Sequence, residues 1–224
     1  MSQSDFTKPY LILVEGAGDA AFFRHVIKAR TIPDDFDVRC PRDGKNVNGS
    51  GNTRFREALD AFAIIPGFDK LRGILIVTDN DEDPMASFKN VQDQIRNTSR
   101  KHSAPTQPLA KTSGFPAFVV MTIPWINELG NLETLCIQAA EFAYPTLATC
   151  ADTFQVCTGV DQWTLSKRSK VKLRSIISAG YRRNADESLS FLWNDYPGLI
   201  PLNHKCFDKI AVFLTNFGKL ITTP

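Results

Sequence analysis

The chain of 224 residues contains no apolar run approaching the roughly 20 residues that a membrane-spanning helix needs. Its first residues, MSQSDFTKPY, lack the basic stretch followed by an apolar one that marks a secretory signal, so the expected setting is the cytoplasm. Cysteines are few. Cys40, Cys136, Cys150, Cys157 and Cys206 are scattered, odd in number and never spaced as CxxC, which excludes a disulfide framework and a zinc knuckle. Charge of one sign is lacking as well: Lys and Arg total 26 against 24 Asp and Glu, a net +2, so any electrostatic case for nucleic acid has to be local. The histidines, His25, His102 and His204, show no metal-ligand spacing. Hydrophobic residues at 43% and charged residues at 22% exclude a disordered, collagenous or coiled-coil protein and leave a conventional globular fold.

Two apolar runs, Tyr10 to Val14 and Gly73 to Val77, break off into acidic, Gly or Asn residues, as buried parallel strands do. Phe36 to Cys40 and Phe118 to Ile123 read as two more strands. Between them, Phe22, Phe23, Val26 and Ile27 share one helical face, as do Phe55, Leu59 and Phe62, and then Phe88, Val91 and Ile95. Strand and helix alternate, which implies an α/β fold with a mostly parallel, Rossmann-like sheet and flanking helices over residues 1–125. Residues 126–224 read as a helical extension packed on that core within one unit, with apolar stripes at Leu132, Leu135, Cys136 and Ala139, at Val171 to Ile177, and at Phe207 to Phe217. The acid-free stretch Asn97 to Gly114 is expected to be a long mobile loop, its Arg100, Lys101, His102 and Lys111 able to close over a bound strand.

In a parallel α/β sheet the ligand site lies beyond the carboxyl ends of the strands. The residues there are acidic. Glu15 opens VEGAGD, where Gly16 and Gly18 permit a tight turn and Asp19 begins the next helix. Asp79 opens DNDED, where Asp79, Asp81 and Asp83 alternate and can point the same way from an extended segment. Singly, each acid suits a helix N-terminus or a polar turn. Five carboxylates at two strand ends, however, repel one another unless a cation neutralises them, and hard oxygen donors at this density suit Mg²⁺ or Mn²⁺.

The apolar strand ending in Glu-Gly, with a later strand ending in DxD, resembles the Toprim domain of type IA and II topoisomerases, bacterial primases and several nucleases; VEGAGDAAFF and ILIVTDNDED carry the likeness. The resemblance implies a Toprim-like sheet in which Glu15, Asp79 and Asp81 hold Mg²⁺ against a phosphodiester. Within that group the chain is more similar to nucleases of the overcoming-lysogenisation-defect type and to small stand-alone Toprim-like proteins. Asp19 stands where that group has a second acidic ligand, Glu133 of GNLETL matches the carboxylate for a second metal, and Gly44-Lys45 matches a Gly-Lys turn. The lysine facing the phosphate is Lys170 or Lys172, between which the local pattern does not decide. No GK[ST] loop is present, so the ATPase half of the larger nucleases, an ABC-type ATPase, is expected on a separate chain. Water is then the expected nucleophile, because Tyr144, Tyr181 and Tyr196 read as packing residues.

The stretch SKRSKVKLR supplies Lys167, Arg168, Lys170, Lys172 and Arg174, which with Lys45 are the candidates for binding a phosphate backbone. Trp125, Trp163 and Trp193 are isolated and read as core or interface residues rather than base-stacking platforms. The expected function is a two-metal phosphodiesterase acting on nucleic acid, DNA before RNA, able to form homo-oligomers and analogous to effectors of phage defence. Asp79, Asp81 and Glu15 serve one cation and Asp19 and Glu133 the other, with Glu15 alternatively the base that takes a proton from water. The rival expectation is a non-catalytic module that uses the same fold and metal only to bind nucleic acid or a nucleotide.

Overall fold

The four apolar runs form one sheet. In the computed structural model, described for residues 5–44, 47–49 and 51–223, they are β1 (Tyr10–Leu13), β2 (Phe36–Arg39), β3 (Gly73–Asp79) and β4 (Ala117–Ile123). The order is β2-β1-β3-β4, and all pairs are parallel. Leu13 lies beside Arg39 on one side and Ile76 on the other, and Asp79 lies beside Ile123. The chain leaves β1 for β2 on one side, then returns past β1 to β3 on the other. The switch point of the topology therefore falls between β1 and β3, where this Rossmann-like arrangement opens a crevice at the strands' carboxyl ends.

Both faces of the sheet are covered, which is why the strands read as unbroken apolar runs. Leu11, Leu13, Ile74 and Ile76 point to α2 (Phe55–Phe62) and α3 (Pro84–Arg96), meeting Phe55, Phe62, Phe88 and Val91. Ile12, Val14 and Leu75 point the other way, to Phe22, Phe23 and Val26 of α1 (Ala17–Ala29). That second face is completed by α4 (Leu132–Ala143), α5 (Pro145–Thr158), α6 (Leu165–Gly180), α7 (Leu189–Asp195) and α8 (Asp208–Thr222). Phe217 of α8 meets Tyr10 edge-on with ring centres 5.3 Å apart, and Trp193 of α7 lies 5.8 Å from Phe22. The last hundred residues thus share one core with the first strands rather than forming a core of their own. Gly73 is required by this docking, since a Cβ there would stand 2.9 Å from the side chain of Ile221.

Two helices were not separately legible. α5 buries little beyond Ala148, Ala151 and Gln155, so it has no strong apolar period; Pro145 opens it and Gly159, at φ +74°, closes it. α7 is only seven residues long. The stretch 97–114 corrects the expectation of a mobile loop, because it is fastened along β4. Leu109 N–H donates to the Val120 carbonyl at 2.8 Å, Thr112 N–H to the Phe118 carbonyl at 3.0 Å, and the His102 ring lies 4.8 Å from that of Phe118. Two of its cations are engaged too: Arg100 pairs with Asp69 at 2.7 Å, and Lys111 donates to the Thr223 carbonyl. Among the described residues no helix is long and apolar enough to cross a membrane.

Candidate metal centre at the switch point

Glu15 leaves the end of β1 and its side chain crosses to the end of β3. There Oε1 accepts from Thr78 Oγ1 at 2.6 Å and from the Asp79 N–H at 2.9 Å. Its carbonyl meanwhile accepts from Gly51 N–H at 2.9 Å, which brings the end of the Gly-rich turn to the same place. Asp19, in the first turn of α1, accepts from the Gly16 N–H at 2.9 Å, so the short Gly-containing turn folds this acid back toward Glu15. Asp79 ends β3 and accepts from the Leu132 N–H at 3.1 Å, placing it at the N-terminus of α4, where a carboxylate is favoured. Glu133 is in that same first turn.

The segment after β3 is shaped by Asn80. It is fully buried and donates through Nδ2 to the carbonyls of Trp125 at 2.7 Å and Glu128 at 2.6 Å. Asp81 follows in the left-handed region at φ +47° and pairs with Gly130 through backbone hydrogen bonds of 2.7 and 2.8 Å. Gly130, at φ +115°, cannot carry a side chain, because a Cβ would fall 2.5 Å from Thr134 Oγ1. Asp83 corrects the expectation of three alternating ligands. The chain has turned by then, and the exposed Asp83 carboxylate caps α3 instead, accepting from Met85 and Ala86 N–H groups at 3.0 Å each.

The remaining acids act on one another. Burial, then Glu15, Asp19, Glu133 and Asp81, push the Asp79 carboxyl well above its ordinary range. Burial, then Glu15 and Glu133, raise Asp19 to about 7. Burial is also the largest cause of the upward shifts of Glu15 and Glu133, with Asp81 adding to both. Lys170 opposes them. Burial disfavours the Lys170 ammonium, but Glu133, Asp79, Asp81 and Glu15 outweigh it and hold the charge above its ordinary pKa. Arg174, one turn further along α6, also acts on Glu133.

Glu15, Asp19, Asp79, Asp81, Glu133 and Lys170 are therefore brought within electrostatic reach of one another. Among the described residues no three acidic, His or Cys side chains are already gathered as ligands of one ion. Glu15, Asp19 and Asp79 each spend one carboxylate oxygen on a backbone N–H and keep the other. The donor set that remains is all oxygen and suits a hard divalent cation. Cys136 lies near, but burial first and Glu133 next push its thiol well above the ordinary range, so it offers no thiolate.

Lys172 corrects the reading of the basic stretch as a single patch. It pairs with Glu141 and Asp152 at 2.6 Å each and its side chain is 12% exposed. Arg168 lies on that same flank of α6, lining a cleft of about 350 Å³ with Lys172 and Asp152. Lys167, Lys170 and Arg174 occupy the other flank and are exposed. Lys45 lies outside the described residues.

Several residues that build the site carried no sequence signal. Thr78 is the hydroxyl donor to Glu15, and Glu82 accepts from Ser166 N–H at 3.0 Å, tying the acidic segment to the start of α6. Asn131 caps α4, accepting from Thr134 N–H, and also donates to the Ser166 carbonyl, both at 3.1 Å. The tyrosines behave as packing residues: Tyr144 and Tyr196 hydroxyls meet at 2.7 Å, and Tyr181 stacks on Tyr196. Trp193 is buried in the core, whereas Trp163 is 51% exposed and lies outside it.

The crystal structure of the hypothetical protein PH0156 from Pyrococcus horikoshii OT3 is similar in fold, with a TM-score of 0.54 over 96% of this chain and 98% of that one at 14% identity. No curated protein matches the chain. The model of a family of unknown function, DUF3226, matches residues 9–216, and the chain belongs to that family.

Proposed function

We propose that the protein is a divalent-metal-dependent phosphodiesterase acting on nucleic acid, DNA before RNA. The observation that supports this reading is the mutual repulsion of Glu15, Asp19, Asp79, Asp81 and Glu133 at the switch point, with Lys170 as the cation facing them. Mg²⁺ or Mn²⁺ fits these oxygen donors, Asp79, Asp81 and Glu15 holding one ion and Asp19 and Glu133 helping to hold a second. Bound there, the ions supply charge neutralisation and Lewis-acid polarisation of a phosphodiester.

The chain's own groups then have distinct tasks. The Thr78 hydroxyl and the Asp79 N–H fix one oxygen of Glu15, leaving the other to bind an ion or take a proton from water; a carboxyl pKa raised by burial makes it the stronger base for the second task. Lys170 donates to a phosphate oxygen and offsets charge that builds there during displacement. The Toprim likeness of VEGAGDAAFF and ILIVTDNDED supports the same reading. It extends to a cytoplasmic effector of phage defence, as a monomer or homo-oligomer, with an ABC-type ATPase on another chain.

Incubation of the purified protein with supercoiled plasmid and Mn²⁺ or Mg²⁺ tests this. Nicking or linearisation that chelator and Asp79→Asn with Asp81→Asn both abolish is the expected result. Metal-dependent binding of nucleic acid without cleavage would assign the protein instead to the non-catalytic class.

A further inference from the structure

α6 carries its cations on two flanks. At 100° per residue, Lys167, Lys170 and Arg174 fall within about 60° of one another, while Arg168 and Lys172 lie on the far side of the buried stripe formed by Ser169, Leu173 and Ile176. Lys172 is neutralised by Glu141 and Asp152. The first flank is exposed and runs past the carboxylates, since Lys170 and Arg174 both act on Glu133. Just before this helix stands Trp163, an indole 51% exposed that has no ring partner or cation over it among the described residues. Two bonds hold its backbone: the Trp163 main-chain N–H donates to the carbonyl of buried Val160 at 2.9 Å, and the main-chain N–H of Ser166, three residues on, donates to Glu82 at 3.0 Å.

Two other large apolar side chains hang from the same acidic segment. Leu129, 49% exposed, precedes the Gly130 that pairs with Asp81; Met85, 66% exposed, donates its N–H to Asp83. Exposed apolar groups on segments tied by their backbones to a charged site suit a binding surface. An indole followed along one helix flank by three cations has the make-up of a single-strand track, in which aromatic faces stack on bases and cations follow the phosphates. A duplex hides its base faces and would offer that flank phosphates alone.

We propose that Trp163 with Lys167, Lys170 and Arg174 forms a track for single-stranded nucleic acid, an unpaired base stacking on the indole and the adjoining phosphates lying along α6. This deepens the phosphodiesterase reading and rests on it only for what the strand is delivered to. Lys170 is the cation of the track that faces most of the carboxylates, acting on Glu133, Asp79, Asp81 and Glu15.

The test uses the whole chain without metal, so that nothing is cut, titrated with single-stranded DNA, single-stranded RNA and a duplex of the same sequence. Tryptophan emission and the anisotropy of labelled oligonucleotide are the readouts. A single strand is expected to bind more tightly than the duplex and to quench emission. Trp163→Ala is expected to weaken single-strand binding on the order of tenfold and to remove most of the quenching, with duplex binding changed little and Trp163→Phe retaining affinity. Preference for DNA or for RNA supports the track and names its source. Trp163→Ala that binds single strands as the wild type does, or an acidic peptide that competes as well as an oligonucleotide, overturns it. Cleavage with Mn²⁺ is measured separately. A chain that binds through Trp163 but cuts nothing loses the phosphodiesterase reading and keeps the track, whereas a chain that cuts while Trp163→Ala binds and cuts single strands normally loses the track alone.

Discussion

Thr78 and Glu15, 63 residues apart in sequence, meet in a 2.6 Å hydrogen bond that spans the ends of β1 and β3. Thr78 is buried, so no water replaces its hydroxyl if it is lost. Thr78→Val removes one of two donors that favour the charged Glu15, a loss of about 1.5 to 3 kcal/mol for a bond to a charged group. The Glu15 carboxyl is expected to rise further, so divalent-cation binding weakens and its pH dependence moves to higher pH. Thr78→Ser should restore both. Calorimetric titration across pH checks this, and identical curves for wild type and Thr78→Val would remove the bond from the site's function.

The carboxylates repel one another in the metal-free protein, so a divalent cation should raise the melting temperature by mass action. At a hundredfold excess over its Kd the gain is about 2.7 kcal/mol. Asp79→Asn with Asp81→Asn should abolish that gain and stabilise the metal-free form, because two of the repelling charges are gone. A metal response unchanged in the double mutant would take both residues out of the site.

Asp19 sets the sign of the pH dependence. Folded, it keeps its proton up to about 7, against an ordinary value of 3.8, so between those limits the folded chain binds more protons than the unfolded one. Unfolding free energy therefore falls as pH rises through that window, the contribution being complete below the lower limit and lost above the upper one. Glu15, Asp79 and Glu133 shift in the same direction and steepen the slope. Chemical denaturation in chelator from about pH 5 to pH 8 should show the decline, and Asp19→Asn should flatten it. Stability that rises across the same range would contradict the repulsion inferred here.

Lys170 and Lys172 make opposite predictions although two residues apart. Lys170→Ala should lower turnover at saturating substrate on the order of a hundredfold, as for loss of one preorganised donor, and should destabilise the metal-free chain, because the carboxylates lose a cation that opposes their repulsion. Lys172→Ala should leave turnover alone and cost about 1 kcal/mol, because Glu141 and Asp152 lose their partner at a half-exposed position. Charge reversal at Lys167 or Arg174 should weaken binding across sequences and flatten its salt dependence. Steady-state kinetics beside thermal melts separate the pair, and equal effects at both lysines would show that the two flanks are not distinct.

How much was legible follows from where the information lies. Strands buried on both faces must be apolar along their whole length, and helices must show an apolar face, so β1 to β4, α1 to α4, α6 and α8 could be read from local pattern alone. The acids Glu15, Asp79 and Asp81 could be read because strand ends are where parallel sheets place ligands. α5 escaped because burying small residues leaves no period, and Asp83 was misplaced because the turn at Asp81 depends on Gly130, 49 residues on.

The sequence by itself determined the alternation of elements, the acids at two strand ends and the cations on one helix, because each is a property of neighbouring residues. Only the tertiary structure decided which of them meet. Strand order placed β1 beside β3 and so Glu15 against Thr78 and Asp79; the docking of α6, tied through Glu82 and Asn131, turned Lys170 toward the carboxylates and Lys172 toward Glu141. Helical phase fixes which cations share a flank, but which flank faces the site is set by packing between segments far apart in the chain, and local pattern carries no record of it.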